Sequence, residues 1–154
     1  MRIKNQRNKI KRITSLLQLK KMAVDKKAAD VSSLQTQIKQ SQQQAEDLGG
    51  YCMQRHQQVL GDNKQPVSSL LLQEHQRFSQ QIGQVLLRQQ HNVQQLQQQS
   101  QLGLQQLKIL QAEQQVVDNL QQRLQQQVTQ DLRKQAAVQL DSDSQRHALH
   151  RPKQ

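Results

Sequence analysis

Five histidines, one cysteine and eleven acidic residues are the side chains of this 154-residue sequence that could do chemistry. Three of the histidines, His56, His75 and His91, stand alone on Gln-rich helical surface. His147 and His150 lie three residues apart, but they lack the nearby Cys or carboxylates of a zinc site. The acids are sparse, and no Gly-Lys-Ser/Thr ending marks a phosphate loop. We therefore predict that the protein is not an enzyme and holds neither a metal nor a cofactor.

Long helices must carry these side chains, because bulky aliphatic residues recur at intervals of seven from the N-terminus. A spacing of seven returns a side chain to nearly the same face of a helix every two turns. The members of this aliphatic ladder are Ile3, Ile10, Leu17, Val24, Val31 and Ile38, continued more weakly by Ala45, Cys52 and Val59. Such a ladder is typical of a helix that packs against another helix.

Glycine and proline divide the sequence into two helices. We predict helix one over 1–60, a turn over 61–68, a Gln-rich helix two over 69–140 and a flexible tail over 141–154. Gly61–Pro66 contains the residue types that end a helix and form a turn. A short turn between two long helices makes them antiparallel neighbours. The predicted fold is therefore all-α, an antiparallel two-helix coiled-coil hairpin.

Two features should weaken this hairpin locally. Gly49-Gly50 predicts a kink or a frayed turn in helix one, because glycine disfavours a helix interior by about 1 kcal/mol per residue. The seven-residue register also puts polar or small residues in the seam of helix two. They are Gln89, Ser100, Gly103, Gln114 and Gln121.

The position of the turn predicts how the helices pair. A turn centred near residue 63 brings residue i opposite roughly residue 126 − i, so Val31 should lie near Gln95 or Leu96. Helix two then extends past the start of helix one over about 125–140. This stretch has apolar residues without a partner in the chain, which makes it a candidate binding surface. They are Val128, Leu132, Ala136 and Leu140.

The composition supports helices over disorder. Forty residues are Gln, which could indicate a disordered low-complexity tract. No Gln run exceeds three residues, however, and Leu and Val interrupt the runs at helical spacing. Cys52 lies on the ladder, so a packed small residue is the simpler interpretation and a reactive or pairing thiol the alternative. No apolar run could span a membrane and no signal peptide is evident, so we expect a cytoplasmic protein without membrane insertion.

Positive charge is concentrated at the N-terminus. The net charge is +11, and residues 1–30 hold ten Lys or Arg against Asp25 and Asp30. The first twelve residues contain six cations and no acid: Arg2, Lys4, Arg7, Lys9, Lys11 and Arg12. We expect this basic segment to seek an acidic surface or a polyanion.

A basic region next to a ladder also suggests a DNA-binding zipper. In such zippers the basic region precedes the hydrophobic seam. Here Ile3, Ile10 and Ile13 run the seam through the basic residues themselves, and no aromatic residues are interleaved for single-stranded nucleic acid. We therefore expect no nucleic acid partner, although a basic nucleic-acid-binding coiled coil and a generic coiled-coil tether remain the alternatives.

A second candidate surface follows the turn. Leu70, Leu71 and Leu72 are consecutive, so they spread over about 200° of a helix and cannot all face one partner helix. Together with Phe78 they could contact a third body, or they could pack against Val59 and Leu60 at the loop end.

The combination of these features resembles the YscO family of bacterial type III secretion stalk proteins, which are related to the flagellar export protein FliJ. The shared features are the basic, heptad-bearing first helix, the turn around Gly61–Pro66, the longer Gln-rich second helix and a total near 150 residues. The resemblance implies a hairpin similar to the γ-subunit stalk of rotary ATPases. It also implies a cytoplasmic position at the face of a secretion apparatus, in a system associated with virulence.

The partners implied by the resemblance are a hexameric secretion ATPase, an export-gate protein and the chaperones of secreted substrates. A stalk of this kind should be a monomeric hairpin. We assign the termini to the ATPase, through Arg2, Lys4, Arg7, Lys9, Lys11, Arg12, Val128 and Leu132. The turn end is assigned to the gate or another partner, through Leu70, Leu71, Leu72 and Phe78.

Overall fold

Two long helices make up the described part of the chain, which covers residues 1–61 and 68–150 of a computed structural model. Helix α1 spans Arg2–Leu60 and helix α2 spans Ser69–Leu149. The fold is the predicted all-α helical hairpin, and α1 has nearly the predicted bounds. Most of the predicted turn, residues 62–67, lies outside the described residues.

Local chemistry defines the helix ends next to the turn. The Gly61 amide donates to the carbonyl of Gln57 at 2.7 Å, and a Cβ at Gly61 would press on that same carbonyl oxygen. A residue without a side chain therefore suits the end of α1. At the start of α2, the Leu71 amide donates to Ser68 Oγ at 3.2 Å. Ser68 thus acts as the N-cap residue and satisfies one of the free amides of the first turn.

The C-terminal end of α2 differs from the prediction. The sequence predicted a helix that ends near residue 140 and a flexible tail from 141, but α2 continues to Leu149. Asp and Ser are weak helix formers rather than helix breakers, and the next proline is Pro152. Ser142 Oγ donates to the Gln139 carbonyl at 3.0 Å within the helix. Arg146 lies in the last turn, where a positive charge interacts favourably with the negative end of the helix dipole.

Gly49 and Gly50 do not interrupt α1, which is helical on both sides of them and through them. The predicted frayed turn is therefore absent at this point. Neither glycine has a positive φ, and a Cβ at either would meet nothing within 4 Å. The helix tolerates the pair because adjacent turns on both sides continue the seam through Leu48 and Cys52, which are half-buried.

The chain forms two compact units, each made of a segment of α1 and a segment of α2. We call Met1–Asp25 with Lys108–Gln154 the terminal unit, and Lys26–Leu107 the turn unit. The buried apolar residues of the terminal unit are Leu17 and Val24 of α1 and Val128 of α2. In the turn unit, the buried residues are Val31, His75, Ser100 and Gly103.

The heptad prediction for the seam is confirmed. Every ladder position of α1 from Ile3 to Val59 is buried or half-buried. The polar and small residues predicted in the seam of α2 are buried or half-buried as well: Gln89, Ser100, Gly103, Gln114 and Gln121. Two of these make bonds across to α1. Gln121 Nε2 donates to Thr14 Oγ1 at 2.7 Å in the terminal unit, and Gln89 Nε2 donates to Gln44 Oε1 at 3.4 Å in the turn unit.

The predicted pairing of the helices is wrong by one heptad. In the terminal unit Lys20 contacts Glu113, and in the turn unit Gln44 contacts Gln89, so the two residue numbers of each pair add to 133 rather than 126. Val31 consequently faces Gly103, not Gln95 or Leu96. A seam with a seven-residue period fits equally well when one helix slides by seven residues. The position of the turn alone could not distinguish the two registers.

Candidate partner-binding surfaces

The exposed basic segment at the start of α1 is the first candidate surface. All six of its cations are exposed. Arg2 Nε lies 3.9 Å from Asp131 Oδ2, but the Arg2 side chain is 83% exposed, so this contact neutralises little. Among the described residues, the other five have no acid within salt-bridge distance. The predicted excess of positive charge therefore persists in the folded terminal unit.

The last layer of the seam in this unit contains two buried polar atoms that lack hydrogen-bond partners among the described residues. Asp131 takes a seam position of α2, and its Oδ2 atom is buried without a hydrogen-bond partner among the described residues. Gln6 Oε1, in the seam of α1, is likewise buried and without such a partner. Buried polar atoms without partners cost stability. The start of α1 is thus held weakly where its positive charge is greatest.

The end of α2 provides an uncovered surface, although it begins and ends further along the chain than predicted. Val128 is only 9% exposed, so it belongs to the seam and not to the unpartnered stretch. This correction follows from the shift by one heptad, because α1 covers α2 as far as Asp131. Leu132 is 41% exposed, and every residue from there to Leu149 is exposed. We call residues 132–149 the uncovered extension.

The apolar residues after the turn form the second candidate surface. Leu70 and Leu71 are exposed, whereas Leu72 is half-buried. Phe78 is half-buried, because its ring meets Tyr51 edge-on with centroids 6.0 Å apart and lies 4.0 Å beneath the Arg55 guanidinium carbon. Leu70 and Leu71 therefore lie on the surface, whereas Phe78 belongs to a small cluster with Tyr51 and Arg55.

A histidine pair in the turn unit was missed by the sequence analysis. His75 was expected on the surface, but it is 5% exposed, and its Nε2 lies 3.1 Å from His56 Nδ1. A hydrogen bond at this distance requires one ring to donate and the other to accept. The sequence did contain a signal, because position 75 is seven residues before Ile82 and fourteen before Gln89, in the register of the seam. The other histidine of this helix stretch, His91, is exposed.

Neither a metal-binding group nor a membrane-spanning stretch is found within the described residues. No group of three or more His, Cys, Asp or Glu side chains within them could hold a metal ion. Cys52 is a free, half-buried thiol on the ladder. Neither described helix contains a stretch apolar enough to cross a membrane. The fold and these surfaces define a coiled-coil protein, a helical hairpin with an exposed basic segment and exposed apolar residues.

Comparison with known families shows to which family of coiled-coil proteins it belongs. The chain matches the family model described as "Flagellar FliJ protein" over residues 8–153. No curated protein and no solved structure matched it. Because the match covers nearly the whole chain, the protein belongs to the FliJ family, which covers the FliJ/YscO-like stalk proteins of type III export. This is a non-catalytic family of the export apparatus.

Proposed function

We propose that this protein is a central stalk and adaptor of a bacterial type III export system. In this role it engages the hexameric export ATPase, links that ATPase to the export gate, and also binds substrate chaperones. It works as a monomeric hairpin in the cytoplasm, at the face of the apparatus. The observation that supports this most is the unneutralised basic segment beside the uncovered extension, in a chain of the FliJ family.

The basic segment and the uncovered extension are the proposed ATPase-binding surface. Exposed cations attract an acidic partner over a distance and accelerate its association. Exposed Leu132 then supplies apolar area that the partner can bury. Val128 is removed from this surface because it is buried in the seam. The polar atoms of Gln6 and Asp131 keep this end easy to rearrange on binding.

The residues after the turn are the proposed surface for the gate or another partner. Leu70 and Leu71 are the side chains available for direct contact, with exposed fractions of 65% and 42%. Phe78 contributes as part of the cluster with Tyr51 and Arg55, which fixes the local shape of the unit. Aromatic and Arg side chains of this kind are enriched at the centres of protein interfaces.

Charge reversal tests the ATPase assignment. The test variant carries R7E, K9E, K11E and R12E, and the matched control carries K26E, K39E, R77E and R88E, all at exposed positions. Each of the four reversals replaces a positive charge with a negative one and lowers the net charge by two, so both variants fall from +11 to +3. We expect the test variant alone to lose binding to the purified export ATPase at low salt, and its stimulation of ATP hydrolysis.

The outcomes separate the proposal from its alternatives. Equal losses in the two variants would show that only net charge matters, which contradicts a specific basic surface. Unchanged ATPase binding together with lost binding to a duplex DNA probe would instead favour the nucleic-acid function. A long parallel dimer in sedimentation would contradict the monomeric stalk.

A further inference from the structure

The terminal unit carries an exposed apolar patch on one flank, outside the seam and apart from the uncovered extension. Its side chains are between 44% and 67% exposed. We call the set the lateral patch; its members are Leu16, Leu19, Ile109, Val116 and Leu120. Several large aliphatic side chains exposed together are unusual on a surface that is otherwise rich in Gln, and clusters of this kind mark interaction sites.

Heptad geometry places these residues on the same flank of the unit. Leu16 of α1 and Leu120 of α2 each occupy heptad position g, directly beside the seam. The other three occupy position c, which is the next position around the helix. In an antiparallel pair the g positions of the two helices lie side by side. The Lys20 Nζ bond to Glu113 Oε2, 2.8 Å long, crosses between the helices on this flank, since Glu113 is also at position g.

The lateral patch therefore lines the groove between the two helices. A third helix that lies in such a groove buries apolar residues spaced three and four apart, as in a three-helix bundle. The third helix would bury apolar area on Leu16 and Leu120 next to the seam and on the c-position residues at the sides of the groove.

The charges around the lateral patch define the partner. Lys9, Arg12 and Arg123 are exposed on the same flank, at positions g, c and c. The acid within the patch, Glu113, is already paired with Lys20. A second copy of this chain would bring the same cations to the interface, which disfavours self-association. An amphipathic helix with acidic residues beside its apolar stripe complements both the shape and the charge.

We propose that the lateral patch is a docking site for an acidic amphipathic helix of a partner protein, which completes a local three-helix bundle with α1 and α2. The apolar residues of this site and Arg123 lie outside the proposed ATPase-binding surface, whereas Lys9 and Arg12 belong to both. The protein thus has a lateral binding mode in addition to the binding at its ends.

A synthetic peptide provides the test. The probe is a labelled peptide of about four heptads with Leu at its core positions and Glu beside them, and its counterpart carries Lys in place of Glu. We expect fluorescence anisotropy to show that the Glu peptide binds the full chain more tightly than the Lys peptide. The variant L16Q/V116Q/L120Q should weaken binding of the Glu peptide by about tenfold or more, since three apolar contacts are lost. R123E should weaken binding of the Glu peptide less than the triple variant does, and its effect should be larger at low salt than at high salt.

Controls separate this site from folding and from the ATPase-binding surface. V138Q/L140Q removes two exposed apolar side chains of the uncovered extension and should leave peptide binding unchanged. Helicity of each variant is checked by circular dichroism. The proposal is overturned by unchanged binding in the triple variant, by equal loss in V138Q/L140Q, or by equal binding of the two peptides. It is also overturned if sedimentation shows a wild-type dimer that the triple variant abolishes, because the occupant would then be a second copy.

Discussion

Gly103 offers a sharp test of how closely the helices pack in the turn unit. The residue is buried in the seam, and a Cβ built on it would lie 2.9 Å from Val31 Cγ2 and 3.9 Å from Lys27 Cε. Val31 is itself only 4% exposed, and a β-branched side chain in a helix has one strongly preferred rotamer. Val31 therefore cannot move away from an added methyl group without a shift of the backbone.

Gly83 is the matched control for Gly103, because it lies in the same helix and unit. A Cβ at Gly83 would meet nothing within 4 Å. Replacing a helical glycine by alanine stabilises a helix by about 1 kcal/mol, whereas overpacking a seam costs about 1–3 kcal/mol. We expect G83A to raise the free energy of unfolding by about 1 kcal/mol and G103A to fall about 1–3 kcal/mol below G83A.

Native-state hydrogen exchange of the amides around each glycine measures this difference, with urea unfolding followed by circular dichroism as the global check. A local probe is needed because two compact units need not unfold together. The V31A substitution should be less destabilising in the G103A variant than in the wild-type chain, since it makes room for the new methyl group. A G103A variant as stable as G83A would refute the close approach of Gly103 and Val31.

Two other predictions concern buried polar groups. D131L should stabilise the terminal unit by about 1 kcal/mol, because it removes a buried carboxylate oxygen that lacks a hydrogen bond and has only a long contact with Arg2. Hydrogen exchange in the first turns of α1 should become slower, and faster exchange would contradict the prediction. H56A should cost about 1 kcal/mol, because it leaves Nε2 of the buried His75 without its partner; a double-mutant cycle with H75A gives the coupling, and zero coupling would show that the pair contributes nothing.

The sequence was sufficient to predict the fold because seven-residue periodicity encodes a seam directly. Ile3 through Val59 fall on that seam, and the polar residues of α2 follow the same register, including Ser100 and Gln121. Periodicity is also the reason for the error in pairing, since it leaves the register undefined by multiples of seven. What favours the observed register is shape and charge across the seam, with Gly103 making room for Val31 and Lys20 meeting Glu113.

The candidate surfaces were predictable only in part. The charge of the basic segment is a property of composition, so folding did not change it. Val128 and Phe78, by contrast, were assigned to exposed surfaces because their burial depends on residues far away in the sequence. Val128 is covered by α1 after the shift of register, and Phe78 is partly covered by Tyr51 and Arg55. The helical end of α2 was not predicted because residues 141–144 are weak helix formers, yet no breaker occurs before Pro152 and residues 145–149 are mostly good helix formers.

Site-specific photo-crosslinking in a reconstituted export system tests the central claim most directly. A photoreactive amino acid is placed at position 132 of the uncovered extension or at position 71 after the turn, both exposed in the structure. The proposed function predicts that position 132 crosslinks to the export ATPase and that position 71 crosslinks to the gate protein. The reverse pattern, or crosslinks to the ATPase from both positions alike, would contradict the assignment of the two surfaces.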